Sequence, residues 1–83
     1  MKIYDYQGKK NMCGGKIREI RLRKRMSQSD LAAKLKVEGV TLERDSISRI
    51  ENGTRFVADY EIMILAKIFG VEVNELLDIV EIE

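Results

Sequence analysis

No proline interrupts the 83 residues, and the β-branched residues nowhere fall into period-two runs bounded by turns. A chain of this kind encodes helices rather than a sheet. Glycine then acts as the punctuation, with Gly39, Gly53 and Gly70 each following a run of helical periodicity. Five segments emerge. The first is predicted over about Gly15 to Arg25, with Ile17 and Ile20 spaced i, i+3 and Leu22 and Met26 beyond. The second opens at Ser27, a good N-cap, has Asp30 in its first turn, and continues through Leu31 and Leu35. The third is predicted to start near Thr41 or Leu42 and to end at Gly53, and the fourth to run from Asp59 to Gly70 with Met63, Leu65 and Ile68 filling the core. The fifth is a short turn from Asn74 to Asp78 with Leu76 and Leu77 pointing inward. The closing DIVEIE alternates apolar and acidic residues and is open to three readings: a frayed end, an added strand, or contact with a second subunit.

A chain of this length makes one domain and buries only roughly 60% of the surface its unfolded form would expose. No apolar run approaches the roughly 20 residues needed to span a bilayer. The N-terminus, MKIYDYQGKKNMCGG, has neither a secretory core nor a transit pattern, so the expected location is cytoplasmic. Cys13 is the only cysteine and histidine is absent, which rules out an internal disulfide and a Cys/His zinc site. No cofactor is expected either, since no phosphate-binding glycine loop occurs. Catalysis lacks its commonest base, and Ser27, Ser29, Ser46 and Ser48 stand where caps and helix faces need small polar residues. The net charge of +1 conceals a division. Residues 1–36 hold eleven Lys or Arg against three acids, a balance of +8, and residues 37–83 hold four against eleven, a balance of −7. The basic end favours a polyanion through counterion release.

The third segment contains RDSISRIENG, and its two faces can be counted. At 100° per residue from Leu42, Ile50 falls at about 80° and Ile47 at about 140°, giving an apolar stripe. Arg44, Ser48, Asn52, Asp45 and Arg49 fall between about 200° and 340° and form the opposite, polar face.

With IREIR in the first segment, SQ opening the second, ISRIENG in the third, and LAKIFGV and NELL after them, the sequence resembles the Cro and phage-repressor type of helix-turn-helix, the xenobiotic-response-element-like family. The likeness covers about residues 15–78, leaving residues 1–14 as an N-terminal extension and residues 79–83 as a C-terminal tail. The resemblance implies an all-α, compact five-helix bundle of the lambda-repressor-like type, in which the second helix crosses the DNA backbone and the third lies in the major groove. It implies base-edge contacts from Arg44, Asp45 and Arg49, with Ser48 at the margin. Asp45 has two open roles, accepting from a cytosine amino group or holding Arg44 or Arg49 in a fixed rotamer. Ser27, Gln28, Asn52, Thr54 and Arg55 are implied phosphate contacts, with capping the safer role for Ser27. Arg21 and Glu51 match a family pair that forms a structural salt bridge.

One departure stands out. Leu35 to Ile47 spans twelve residues where the family uses about seven, so about five are inserted in KVEGVTLERD. Either the third helix is extended at its start, or a loop protrudes and brings Glu38, Thr41 or Glu43 near the DNA. Because acids beside phosphates oppose binding, the insertion is expected to point across the groove or away from it. The extension, with Lys2, Lys9 and Lys10, is open to two readings: an arm on DNA, or packing of Tyr4 and Tyr6 on the bundle. The functional expectation is a sequence-specific transcriptional regulator of repressor or controller type, bound to double-stranded DNA as a homodimer on a palindromic site, with no membrane and no small-molecule substrate. Helix five, the tail residues Ile79, Val80 and Ile82, or the apolar remainder of helix four are the candidate dimer surfaces. The rival is a protein-interaction module such as an antitoxin, motivated by the acidic second half.

Overall fold

The computed structural model describes residues 6–77. Among them are five helices: α1 (Gly14–Arg23), α2 (Gln28–Val37), α3 (Arg44–Asn52), α4 (Asp59–Phe69) and α5 (Val73–Leu76). The fold is all-α. Each helix is too short to be stable alone, so its stability comes from burying one face. Ile17 and Ile20 of α1, Leu31 and Leu35 of α2, Ile47 and Ile50 of α3, Leu65 and Phe69 of α4 and Leu76 of α5 meet in one core. Fully burying such a side chain contributes about 1.5 to 3 kcal/mol. Helix α1 packs on α3, α4 and α5, and α2 packs on α3 and α4. Cys13 completes the core beside α1, and burial pushes its thiol pKa up, so it packs as a small neutral group.

The first four helices end in the same way. A residue at the C-cap or just after it has positive φ (Arg25 59°, Gly39 88°, Gly53 81°, Gly70 70°). Its N–H and the next one turn back onto the helix, as in Met26 N to Arg21 O at 3.0 Å and Thr54 N to Arg49 O at 2.9 Å. These are Schellman closures, which satisfy carbonyls the helix leaves free. Three use glycine. The fourth uses Arg25, which explains why α1 stops at Arg23 instead of reaching Arg25, and Leu22 is left half exposed.

Two further expectations are corrected. Helix α3 starts at Arg44, not at Thr41 or Leu42. Leu42 is instead buried from an extended segment, and the inserted residues become a loop over 38–43 anchored by Leu42 and the half-buried Val40. Glu38 in this loop is drawn to α4, its Oε1 2.8 Å from Lys67 Nζ. Met63 is not a core residue but is 56% exposed. It lies about 200° around α4 from Leu65, and so faces away from the core. Leu65 is buried, Ile68 is half buried, and Leu76 and Leu77 point inward as expected. Asp78, the tail candidates Ile79, Val80 and Ile82, and Lys2 and Tyr4 lie outside the described residues.

The start of α1 meets the end of α3 at Gly14. A Cβ placed there would stand 2.0 Å from the Ile50 carbonyl oxygen, so only glycine allows this approach. Gly15 faces open space. Gly14→Ala is expected to cost about 1 to 3 kcal/mol, while Gly15→Ala leaves stability equal or slightly raised, as read from urea unfolding midpoints.

Candidate nucleic-acid interface

The second and third helices are locked at one point. Glu51 of α3 is buried and its carboxylate accepts three hydrogen bonds. Arg21 Nε donates to Oε2 at 2.7 Å and Arg21 Nη2 to Oε1 at 3.1 Å, while Gln28 Nε2 donates to Oε1 at 3.1 Å. Arg21 also donates from Nη1 to the Met26 carbonyl at 2.8 Å, which holds the turn between α1 and α2. One carboxylate therefore ties α1, α2 and α3 together. The fork of Arg21 suits this geometry because two parallel bonds fix its orientation as well as its distance.

Helix α2 begins with a full capping box. Ser27 Oγ accepts from the Asp30 N–H at 2.9 Å, and Asp30 Oδ2 accepts from the Ser27 N–H at 2.9 Å. The bond from the Ser27 backbone N–H, and after it one from the Ser27 side chain, hold the Asp30 carboxyl below its ordinary pKa of 3.8. Gln28 follows directly, half buried, with its amide turned to Glu51.

The outer face of α3 carries Arg44, Asp45 and Arg49, all exposed, with Ser48 half buried. Gln28, Glu43, Arg44, Asp45 and Ser48 line an open concavity between the starts of α2 and α3. Arg49 Nη2 donates to Asp45 Oδ2 one turn back along the helix. Both side chains are more than half exposed, so this pair adds little to stability and acts mainly on the direction in which Arg49 points. Arg44 forms no ion pair among the described residues.

Asn52 at the end of α3 and Thr54 beyond it are exposed, and Thr54 Oγ1 donates to the Arg49 carbonyl at 3.3 Å. Arg55 turns inward. Its Nη1 and Nη2 reach the buried Glu61 at 3.0 and 3.3 Å, and Nη1 also donates to the Phe56 carbonyl at 2.8 Å. Glu61 in turn accepts from the Ala58 N–H at 2.9 Å at the start of α4.

The same loop is held from the other side by the N-terminal extension. Asn11 Nδ2 donates to the carbonyls of Ile50 (3.1 Å) and Arg55 (2.7 Å), and Asn11 Oδ1 accepts from the Gly14 N–H at 2.8 Å. A single amide thus starts α1 and joins it to the end of α3 and to the loop that follows. Tyr6 is 58% exposed, so it does not pack on the bundle.

The model of the helix-turn-helix family matches residues 17–76, well over half of the chain. The chain belongs to the helix-turn-helix family, in its Cro and phage-repressor branch. No curated protein and no solved structure matches it. As a helix-turn-helix protein it is a DNA-binding domain of the transcription-regulating kind, and α2 and α3 are its paired helices. No helix among the described residues is long and apolar enough to cross a membrane, and no group of three metal-binding side chains occurs among them.

Sequence reasoning did not assign Asn11, the Gln28 bond to Glu51, or the Arg55–Glu61 pair. Asn11 falls outside the family-matched span and outside any helical period, so no pattern marks it. Arg55 and Glu61 are separated by a turn whose path the sequence does not define.

Arg21→Met leaves the Glu51 carboxylate buried without its partner, and an expected loss of about 3 to 5 kcal/mol follows in urea unfolding. The double change Arg21→Met with Glu51→Leu is expected to recover most of it. At α2, the depressed Asp30 carboxyl stabilises the fold above pH 3.8 and loses that contribution as pH falls through its lower folded value. Asp30→Asn is expected to flatten this acid-side decline in thermal midpoints measured across the same window.

Proposed function

We propose that this helix-turn-helix protein is a sequence-specific transcriptional regulator of repressor or controller type, binding a palindromic operator as a homodimer with α3 in the major groove. The observation that carries the reading is the exposed face of α3. Arg44, Asp45, Ser48 and Arg49 stand free of the core while the opposite face is sealed by Ile47 and Ile50 and held in place by Glu51. Arg44 and Arg49 are the readers of guanine O6 and N7. Asp45, bonded to Arg49, is the residue that aims it, and the Asp45–Arg49 pair supports that role over a direct contact with cytosine.

Ser27, Gln28, Asn52 and Thr54 flank this face and form the phosphate contacts. Gln28 retains one amide N–H after its bond to Glu51, and the start of α2 adds its free N–H groups and dipole. Arg55 is engaged with Glu61, so its part is to shape the loop that presents Asn52 and Thr54. Glu38 is held by Lys67 on α4, which draws one inserted acid away from that face. A homodimer fits because one recognition helix reads too few bases for genomic specificity. Tyr60 and Met63, exposed three residues apart on α4, offer it an apolar surface.

Titration against mixed genomic fragments at two salt concentrations tests the reading. Salt-dependent binding is expected, and its absence would leave the antitoxin-like protein-interaction module as the better account. Arg49→Ala is expected to lose about 1 to 3 kcal/mol on the selected operator and to relax preference at one base pair. Equal weakening on all sequences would make Arg49 a phosphate contact instead.

A further inference from the structure

We propose that the turn at residues 6–10, which precedes the family-matched span, is a further clamp on the DNA backbone, acting through Lys9 and Lys10. This rests on the regulator reading above, and in particular on Asn52 and Thr54 facing phosphates.

The turn is built rather than loose. Tyr6 N donates to the Lys9 carbonyl at 2.6 Å and Lys9 N to the Tyr6 carbonyl at 3.0 Å, closing a two-residue turn at Gln7 and Gly8. Both of these residues have positive φ, 53° and 81°. That is the backbone of a tight hairpin turn, in which Gly8 relieves one of the two positions. The turn is then fastened to the end of α3, where Lys10 N donates to the Gly53 carbonyl at 2.8 Å. The stem of Lys9 lies over Gly53, so close that a Cβ there would stand 2.8 Å from Lys9 Cδ. Lys10 Nζ sits 5.5 Å from the centre of the Phe56 ring, an attraction that directs the ammonium without neutralising it. Asn11, bonded to Ile50 and Arg55, fixes the whole segment to the loop.

The stem of Lys9 is therefore held over Gly53 and the ammonium of Lys10 over Phe56, both among the residues that follow α3. Both lysines are exposed, and neither forms an ion pair among the described residues. A cation at this end of α3 also complements the helix dipole, and that alone would be a purely stabilising role. The two roles differ in what they do to the salt dependence of binding. Each phosphate neutralised contributes about 0.9 to the slope of log K against log salt.

The test uses the full chain and a duplex selected from random DNA. In Lys9→Gln/Lys10→Gln, a dimer loses up to four phosphate contacts, and the slope is expected to fall by about 3 to 4 with base preference unchanged. The control, Lys34→Gln/Lys36→Gln, removes the same charge from the last turn of α2 and is expected to keep the original slope. An unchanged slope in the first variant, an equal fall in the control, or a shift in base preference overturns the clamp. If the unaltered chain shows no salt-dependent binding, the regulator reading fails before any substitution is made, and the clamp fails with it.

Discussion

The structure depends on one buried carboxylate. Glu51 sits on the inner edge of α3, where an isolated charge would be prohibitively costly, and is made tolerable by two bonds from Arg21 and one from Gln28. Because those donors come from α1 and from the first residue of α2, the requirement to satisfy one charge sets the mutual placement of three helices. A hydrophobic contact at the same place could slide. A forked, directional pair cannot, so the angle at which α3 presents its outer face is fixed by hydrogen-bond geometry as well as by the packing of Ile47 and Ile50.

A second set of directional contacts governs the other end of α3. Gly14 lets the start of α1 reach the Ile50 carbonyl, Asn11 bonds that carbonyl and the one at Arg55, and Arg55 is itself held by Glu61. Helix α3 is thus gripped at its inner edge through Glu51 and at its C-terminal end through Asn11. Its exposed residues carry little of the stability, which leaves Arg44, Asp45 and Arg49 open to change without loss of fold. Such a separation lets the outer face of α3 vary while the core is kept.

Much of the fold was legible because each cue is local. Gly39, Gly53 and Gly70 mark helix ends by the one conformation glycine adopts cheaply, and Ser27 with Asp30 marks a start by a bond pattern confined to four residues. Arg25 hid the end of α1 because an arginine does not advertise a left-handed residue. Leu42 misplaced the start of α3, since an apolar residue one turn ahead of Ile47 looks helical whether it enters the core from a helix or from an extended loop. Met63 was misread because hydrophobicity alone does not say which side of α4 faces inward.

An all-helical chain, the polar and apolar faces of α3, and membership of the helix-turn-helix family all follow from short-range spacing and residue type. The path of the inserted residues, the turn of Arg55 to Glu61, the bond of Gln28 to Glu51 and the fastening of the extension to the end of α3 emerge from the folded bundle. Arg55 and Glu61 meet across a turn of six residues and the others join residues distant in the chain, and in each case the choice among partners is made by the packed geometry of the bundle.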